Sequence, residues 1–94
     1  MKFLAIGKAL VPPEQIAPYM PKEPAATLKL YVDGIVEQFW FAEHAGPVFL
    51  MNSESEEAAR AALATLPLTA ANLVAYELIP VGPLFPLGRL LQAA

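Results

Sequence analysis

His44 is the only side chain in this chain whose ordinary pKa lets it exchange protons near neutrality, and its neighbour Glu43 makes a pair that could shuttle a proton. The same two residues fit a solvated turn between strands. Glu37 and Glu77 make a stronger chemical case, because each interrupts an apolar run where loss of water would raise a carboxyl pKa toward the range of a general base. Glu77 is the better candidate of the two; for Glu37 an exposed sheet edge, where charge discourages aggregation, is the competing account. Trp40, Phe39, Tyr19, Tyr76 and Tyr31 are the candidate binding residues: they could line an apolar pocket, with a tyrosine hydroxyl orienting a carbonyl or phenol. Such aromatics equally build an ordinary core. Ser53 and Ser55 read as helix caps rather than nucleophiles.

These residues have to be positioned by elements that the sequence punctuates clearly. Lys2 to Ala9 reads as a first strand, with Phe3, Ala5 and Gly7 alternating against Leu4 and Ile6. Val11-Pro-Pro-Glu-Gln opens a short helical turn carrying Ile16, Tyr19 and Met20, and Pro18, Pro21 and Pro24 forbid one continuous helix. This Pro-broken segment is a candidate lid. A helix from about Pro24 to Asp33 is expected to turn Leu28, Tyr31 and Val32 inward and to end at Gly34.

Ile35 to Ala42 is rich in β-branched and aromatic residues and predicts a second strand, in which Val36, Gln38 and Trp40 alternate with Glu37, Phe39 and Phe41. Large apolar groups on both faces imply that neither face is solvated. Val48 to Asn52 is a third strand. Ser53-Glu-Ser-Glu56 has the pattern of a capping box, and the helix behind it carries Ala59, Ala62, Leu63 and Leu66 on one face up to the stop at Pro67. Leu73 to Ile79 is a fourth strand, closed by Pro80-Val-Gly-Pro83. The order β-α-β-β-α-β predicts an α+β, ferredoxin-like domain: a four-stranded antiparallel sheet with two helices on one face and the other face bare. Residues 83–94 form an apolar tail expected to pack on a neighbouring subunit.

Composition narrows the function classes. The 94 residues are 56% hydrophobic and only 16% charged, an excess of apolar surface for a single small domain, which points to burial against another copy. No apolar run approaches the roughly 18 to 20 residues that span a bilayer. A net charge of −3 with six dispersed basic residues provides no footprint for a phosphate backbone, so nucleic acid is not an expected partner. With one histidine and no cysteine there is no spaced metal-ligand set, and no glycine-rich loop marks a nucleotide or flavin site, so no cofactor is expected. Lys8 cuts the N-terminal apolar run below signal-peptide length, which with the lack of cysteine implies a cytoplasmic setting.

Gly34 before an aromatic strand bearing Trp40, the helix from Ser53 to Leu66, the tripeptide Leu66-Pro67-Leu68 and the stretch Glu77 through Leu84 together resemble the muconolactone isomerase-like and YciI-like branch of the dimeric α/β-barrel proteins, over nearly the whole chain. The resemblance implies a homodimer, or a larger ring of dimers, whose bare sheet faces close into a barrel, with a small-molecule pocket in each subunit. It also implies a cofactor-free isomerase that moves a proton next to a carbonyl. The match departs at strand two. Where muconolactone isomerases carry basic residues able to face an anionic lactone, this chain has Glu37-Gln38-Phe39-Trp40-Phe41. The expected ligand is therefore a small apolar or aromatic-derived molecule, and the alternatives are a non-catalytic binding or assembly module and a cofactor-independent monooxygenase.

Overall fold

The computed structural model describes residues 1–43 and 46–82. Strand β1 (Lys2–Ala9) is followed by a single helical turn α1 (Pro13–Ile16), a 3-10 turn (Ala17–Tyr19) and helix α2 (Glu23–Val32). Strands β2 (Val36–Ala42) and β3 (Gly46–Asn52) come next, then helix α3 (Glu56–Leu63), the short helix α4 (Pro67–Ala70) and strand β4 (Val74–Val81). All pairings are antiparallel in the order β2-β3-β1-β4, which is the ferredoxin-like arrangement read from the sequence.

The helices cover one face. Phe3 and Ala5 of β1, Val36 of β2, Phe49 and Met51 of β3 and Leu78 of β4 meet Leu30 of α2 and Ala59, Leu63 and Leu66 of the α3 region in one buried cluster. Helix α2 ends in a Schellman motif: Gly34 takes φ +79°, its N–H bonds to the Tyr31 carbonyl, and the Ile35 N–H reaches back to the Leu30 carbonyl. Only glycine adopts that φ without strain.

Four local expectations are corrected. The inward stripe of α2 is Glu23, Ala26 and Leu30, while Leu28, Tyr31 and Val32 are exposed in the subunit; the true stripe keeps helical spacing but begins with a carboxylate, which an apolar search passes over. Ser55, not Ser53, caps α3: its Oγ accepts from the Ala58 N–H at 3.1 Å, whereas the Ser53 N–H bonds to the Met1 carbonyl. Pro67 does not simply stop a helix but opens α4, since its missing N–H is harmless in a first turn. Strict alternation along β2 is also broken, because a bulge at Glu37 sets Val36 opposite Met51 and Gln38 opposite Leu50. Val36 and Phe39 therefore both face the helices, while Trp40 pairs with Val48 on the bare side.

That bare side carries Leu4 and Ile6 of β1, Val48 and Leu50 of β3, Trp40 of β2, and Ile79 and Val81 of β4; Trp40, Ile79 and Val81 are exposed. The expected tail, residues 83–94, lies outside the described residues. Among the described residues no helix is long and apolar enough to cross a membrane.

Candidate functional site

Residue size along β1 sets up the site. Ala5 and Gly7 are the small members of the strand on its helix-facing side, and they leave room for aromatics from both neighbours to meet across it. Phe49 of β3 and Tyr76 of β4 stack there, with ring centroids 5.6 Å apart and planes 25° from parallel. Gly7 pairs directly with Tyr76, and the Tyr76 ring and Pro47 occupy the space that a side chain at position 7 would need.

The one buried charged residue among the described residues is Glu23, only 9% exposed at the first turn of α2. Its Oε1 accepts the Leu68 N–H at 2.9 Å, so the carboxylate serves the orphan amide of α4 that a local cap would otherwise satisfy. Burial pushes the Glu23 carboxyl above its ordinary range, and the Leu68 hydrogen bond opposes that shift only in part. Tyr76 is held strongly protonated, first by burial and second by the negative charge of Glu23. The Thr69 Oγ, one residue beyond Leu68, is buried and has no hydrogen-bond partner. The helix-covered side of the sheet thus holds a carboxyl raised above its ordinary range, a neutral phenol and an unengaged hydroxyl.

The candidates read from the sequence fall in different places. Tyr76 is in this cluster. Phe39 is on the same face, and Tyr31 meets it edge-on at 5.5 Å at the outer side of α2. Tyr19 ends the 3-10 turn that leads toward Glu23 and is half-buried. Glu77 and Glu37 lie on the bare side instead. Glu77 is exposed and stands in the row of Ile6, and Glu37 is paired with Lys2 at 2.9 Å. Trp40 is also on that side, and His44 lies outside the described residues. Glu23 escaped the sequence reading because its neighbours are prolines and lysine rather than a hydrophobic run; the signal available was its spacing of three and seven residues from Ala26 and Leu30.

No protein-family model and no curated protein matches the chain. Among solved structures, the crystal structure of a muconolactone isomerase superposes with a TM-score of 0.72 over 88% of this chain and 90% of that one, at 20% sequence identity. What the chain shares with that enzyme is its fold, a muconolactone isomerase-like arrangement of four antiparallel strands with the helices on one side.

Proposed function

We propose that this protein binds a small, largely apolar or aromatic-derived molecule between sheet and helices and moves a proton next to its carbonyl group without a cofactor. The observation that carries the reading is Glu23, a buried carboxyl held by a single backbone hydrogen bond beside a protonated tyrosine. In its ionised form Glu23 takes a proton from the carbon beside the carbonyl, leaving an enolate. In this reading the Tyr76 and Thr69 hydroxyls donate to the enolate oxygen, and Glu23 then returns the proton to a different carbon. The segment before Glu23 has no buried residue, so it can lift away and admit a ligand at little energetic cost. The likeness in fold to muconolactone isomerase supports the reaction class.

The bare face supports the second part of the reading, a homodimer in the cytoplasm in which two such faces close on each other and the tail at 83–94 packs on a neighbouring subunit. In that assembly Glu77 and Glu37 belong to the subunit interface rather than to the pocket. The test is solvent deuterium uptake into an α,β-unsaturated lactone, followed by proton NMR. Wild type is expected to exchange the proton beside the carbonyl, Glu23→Gln to slow exchange at least about 100-fold, and Glu77→Gln to leave it unchanged. Loss of exchange in Glu77→Gln with retention in Glu23→Gln would move the chemistry to the sheet's other side.

A further inference from the structure

The two edges of the sheet are finished differently. β4, one outer strand, is blunted: the Arg60 guanidinium of α3 donates to the Tyr76 backbone carbonyl at 3.3 Å, and Pro80 has no N–H to offer a further strand. β2, the other outer strand, lacks such devices. Among the described residues no side chain bonds to its backbone, and the run from Gln38 to Ala42 carries no charge. Phe39, Trp40 and Phe41 are all exposed there, Phe41 by 78%. The apolar surface continues onto α2, where Tyr31 meets Phe39 edge-on and Leu28, three residues earlier on the same flank, is exposed. An open apolar edge of this kind is a template for another extended segment.

The chain's own sequence contains a matching segment. Residues 83–94 lie outside the described residues, and within them Phe85, Leu87 and Arg89 recur at every second position, Arg89 being the only charge. On β2, Phe39, Phe41 and Glu43 recur at the same spacing, and Glu43 is exposed with no ion-pair partner among the described residues. Strand register sets where the tail departs. Val81 stands opposite Lys2, Lys2 opposite Asn52 and Val36 opposite Met51, so β4 finishes at the end of the sheet where β2 begins. Within one subunit β1 and β3 separate the two strands, about 14 Å in all. In a face-to-face dimer with its two-fold axis along the strands, the end of β4 in one subunit comes over the start of β2 in the other. The 12 residues of the tail reach up to about 40 Å, more than the roughly 24 Å of a seven-residue β2.

Resting on the proposed homodimer, we infer that the β2 edge is the docking site for residues 83–94 of the second copy. The tail lies along β2 and parallel to it, with the partner's Phe85 and the partner's Leu87 against Phe39, Phe41 and the Leu28–Tyr31 flank of α2, and the partner's Arg89 on Glu43. Pro86 suits this position, since an outermost strand tolerates a missing N–H on its solvent side.

The chain has no cysteine, so introduced thiols report this contact directly. A disulfide closes only where two Cβ atoms come within about 4.5 Å. The full-length variant Phe41→Cys/Leu87→Cys is oxidised at low protein concentration and its linked peptides are identified by mass spectrometry, with Phe41→Cys and Leu87→Cys alone as controls. The expected product is a covalent dimer joined between positions 41 and 87 of different chains, with no cross-linked dimer from either single variant. Glu43→Lys is expected to slow this cross-link about two- to fivefold, and adding Arg89→Glu to restore it, as the exchange of an exposed ion pair requires. A link between 41 and 87 of the same chain overturns the inference, because each subunit would then cover its own edge. A link between two copies of position 41 in Phe41→Cys overturns it by showing that two β2 edges meet. Absence of any link between 41 and 87 in a protein that sediments as a dimer overturns the docking site and leaves the dimer standing, whereas a protein that sediments as a monomer removes both.

Discussion

Replacing Gly7 by Ala tests the packing on which the site depends. A Cβ at Gly7 would stand 2.9 Å from Cγ of Pro47 and 2.9 Å from Cε1 of Tyr76, closer than real Cβ contacts come. The proline ring is rigid, so the tyrosine has to move, and its stack on Phe49 goes with it. Overpacking of this kind costs about 1–3 kcal/mol. Against it stands the backbone-entropy gain of Ala over Gly inside a strand, about 0.5–1 kcal/mol. The balance is a loss of about 1 kcal/mol, or about 4–8 °C in Tm for a domain of this size. The assay is thermal unfolding followed by near-UV circular dichroism at one fixed protein concentration, because self-association would make Tm concentration-dependent. In a Tyr76→Ala background the same substitution should cost less, with a coupling of about 0.5–1 kcal/mol. A Tm for Gly7→Ala equal to or above wild type would show that the space over β1 is slack and that Tyr76 is not pinned where the proposed chemistry requires it.

Three further outcomes follow from named contacts. The Glu23 carboxyl is raised above its ordinary value of 4.5, so the folded state keeps this proton after the unfolded chain has lost it, and stability falls as pH rises from about 4.5 through the folded-state pKa; denaturant titrations across pH should show this slope flattened in Glu23→Gln, with the variant at least as stable as wild type at pH 8. Ser55→Ala removes the cap of α3 and should lower stability by about 1 kcal/mol in urea unfolding, while Ser53→Ala, whose backbone rather than hydroxyl is used, should change it little. Ile6→Glu places a charge at the centre of the bare face and should convert the proposed dimer to a folded monomer in sedimentation velocity; a variant that sediments like wild type would show that the faces do not meet.

The architecture was legible because its signals are local and redundant. Gly34 and the aromatic strand mark element boundaries through local backbone chemistry, whereas the expected stop at Pro80 does not end β4, which runs on to Val81, and the capping serine of α3 stands two residues later than the pattern suggested. The site was not legible for the opposite reason. Glu23 and Leu68 are 45 residues apart, and their contact exists only once α2 and α4 share the helix layer. An isolated glutamate between proline and lysine reads as solvent-facing, whereas Glu77 within an apolar strand invites the role of buried base. Pairing shows why this misleads: Glu77 falls opposite Ile6, on the side without helices. Tyr76, one residue earlier, points to the helix side, because alternation along β4 is regular; along β2 it is not.

The irregularity in β2 also says where this chain tolerates a gap. Glu37 is the extra residue of the bulge, so Val36 and Gln38 occupy consecutive rungs opposite Met51 and Leu50 with or without it. Deleting Glu37 would straighten the ladder and free Lys2 while leaving Phe39 under the helices and Trp40 on the bare side. Deleting any residue between Phe39 and Ala42 would instead invert part of the strand and exchange an aromatic on the helix side for one on the bare side. Relatives of this protein can therefore differ in length at this position and still keep the same two surfaces, and an alignment that places the gap one or two residues later would assign the aromatics of strand two to the wrong side.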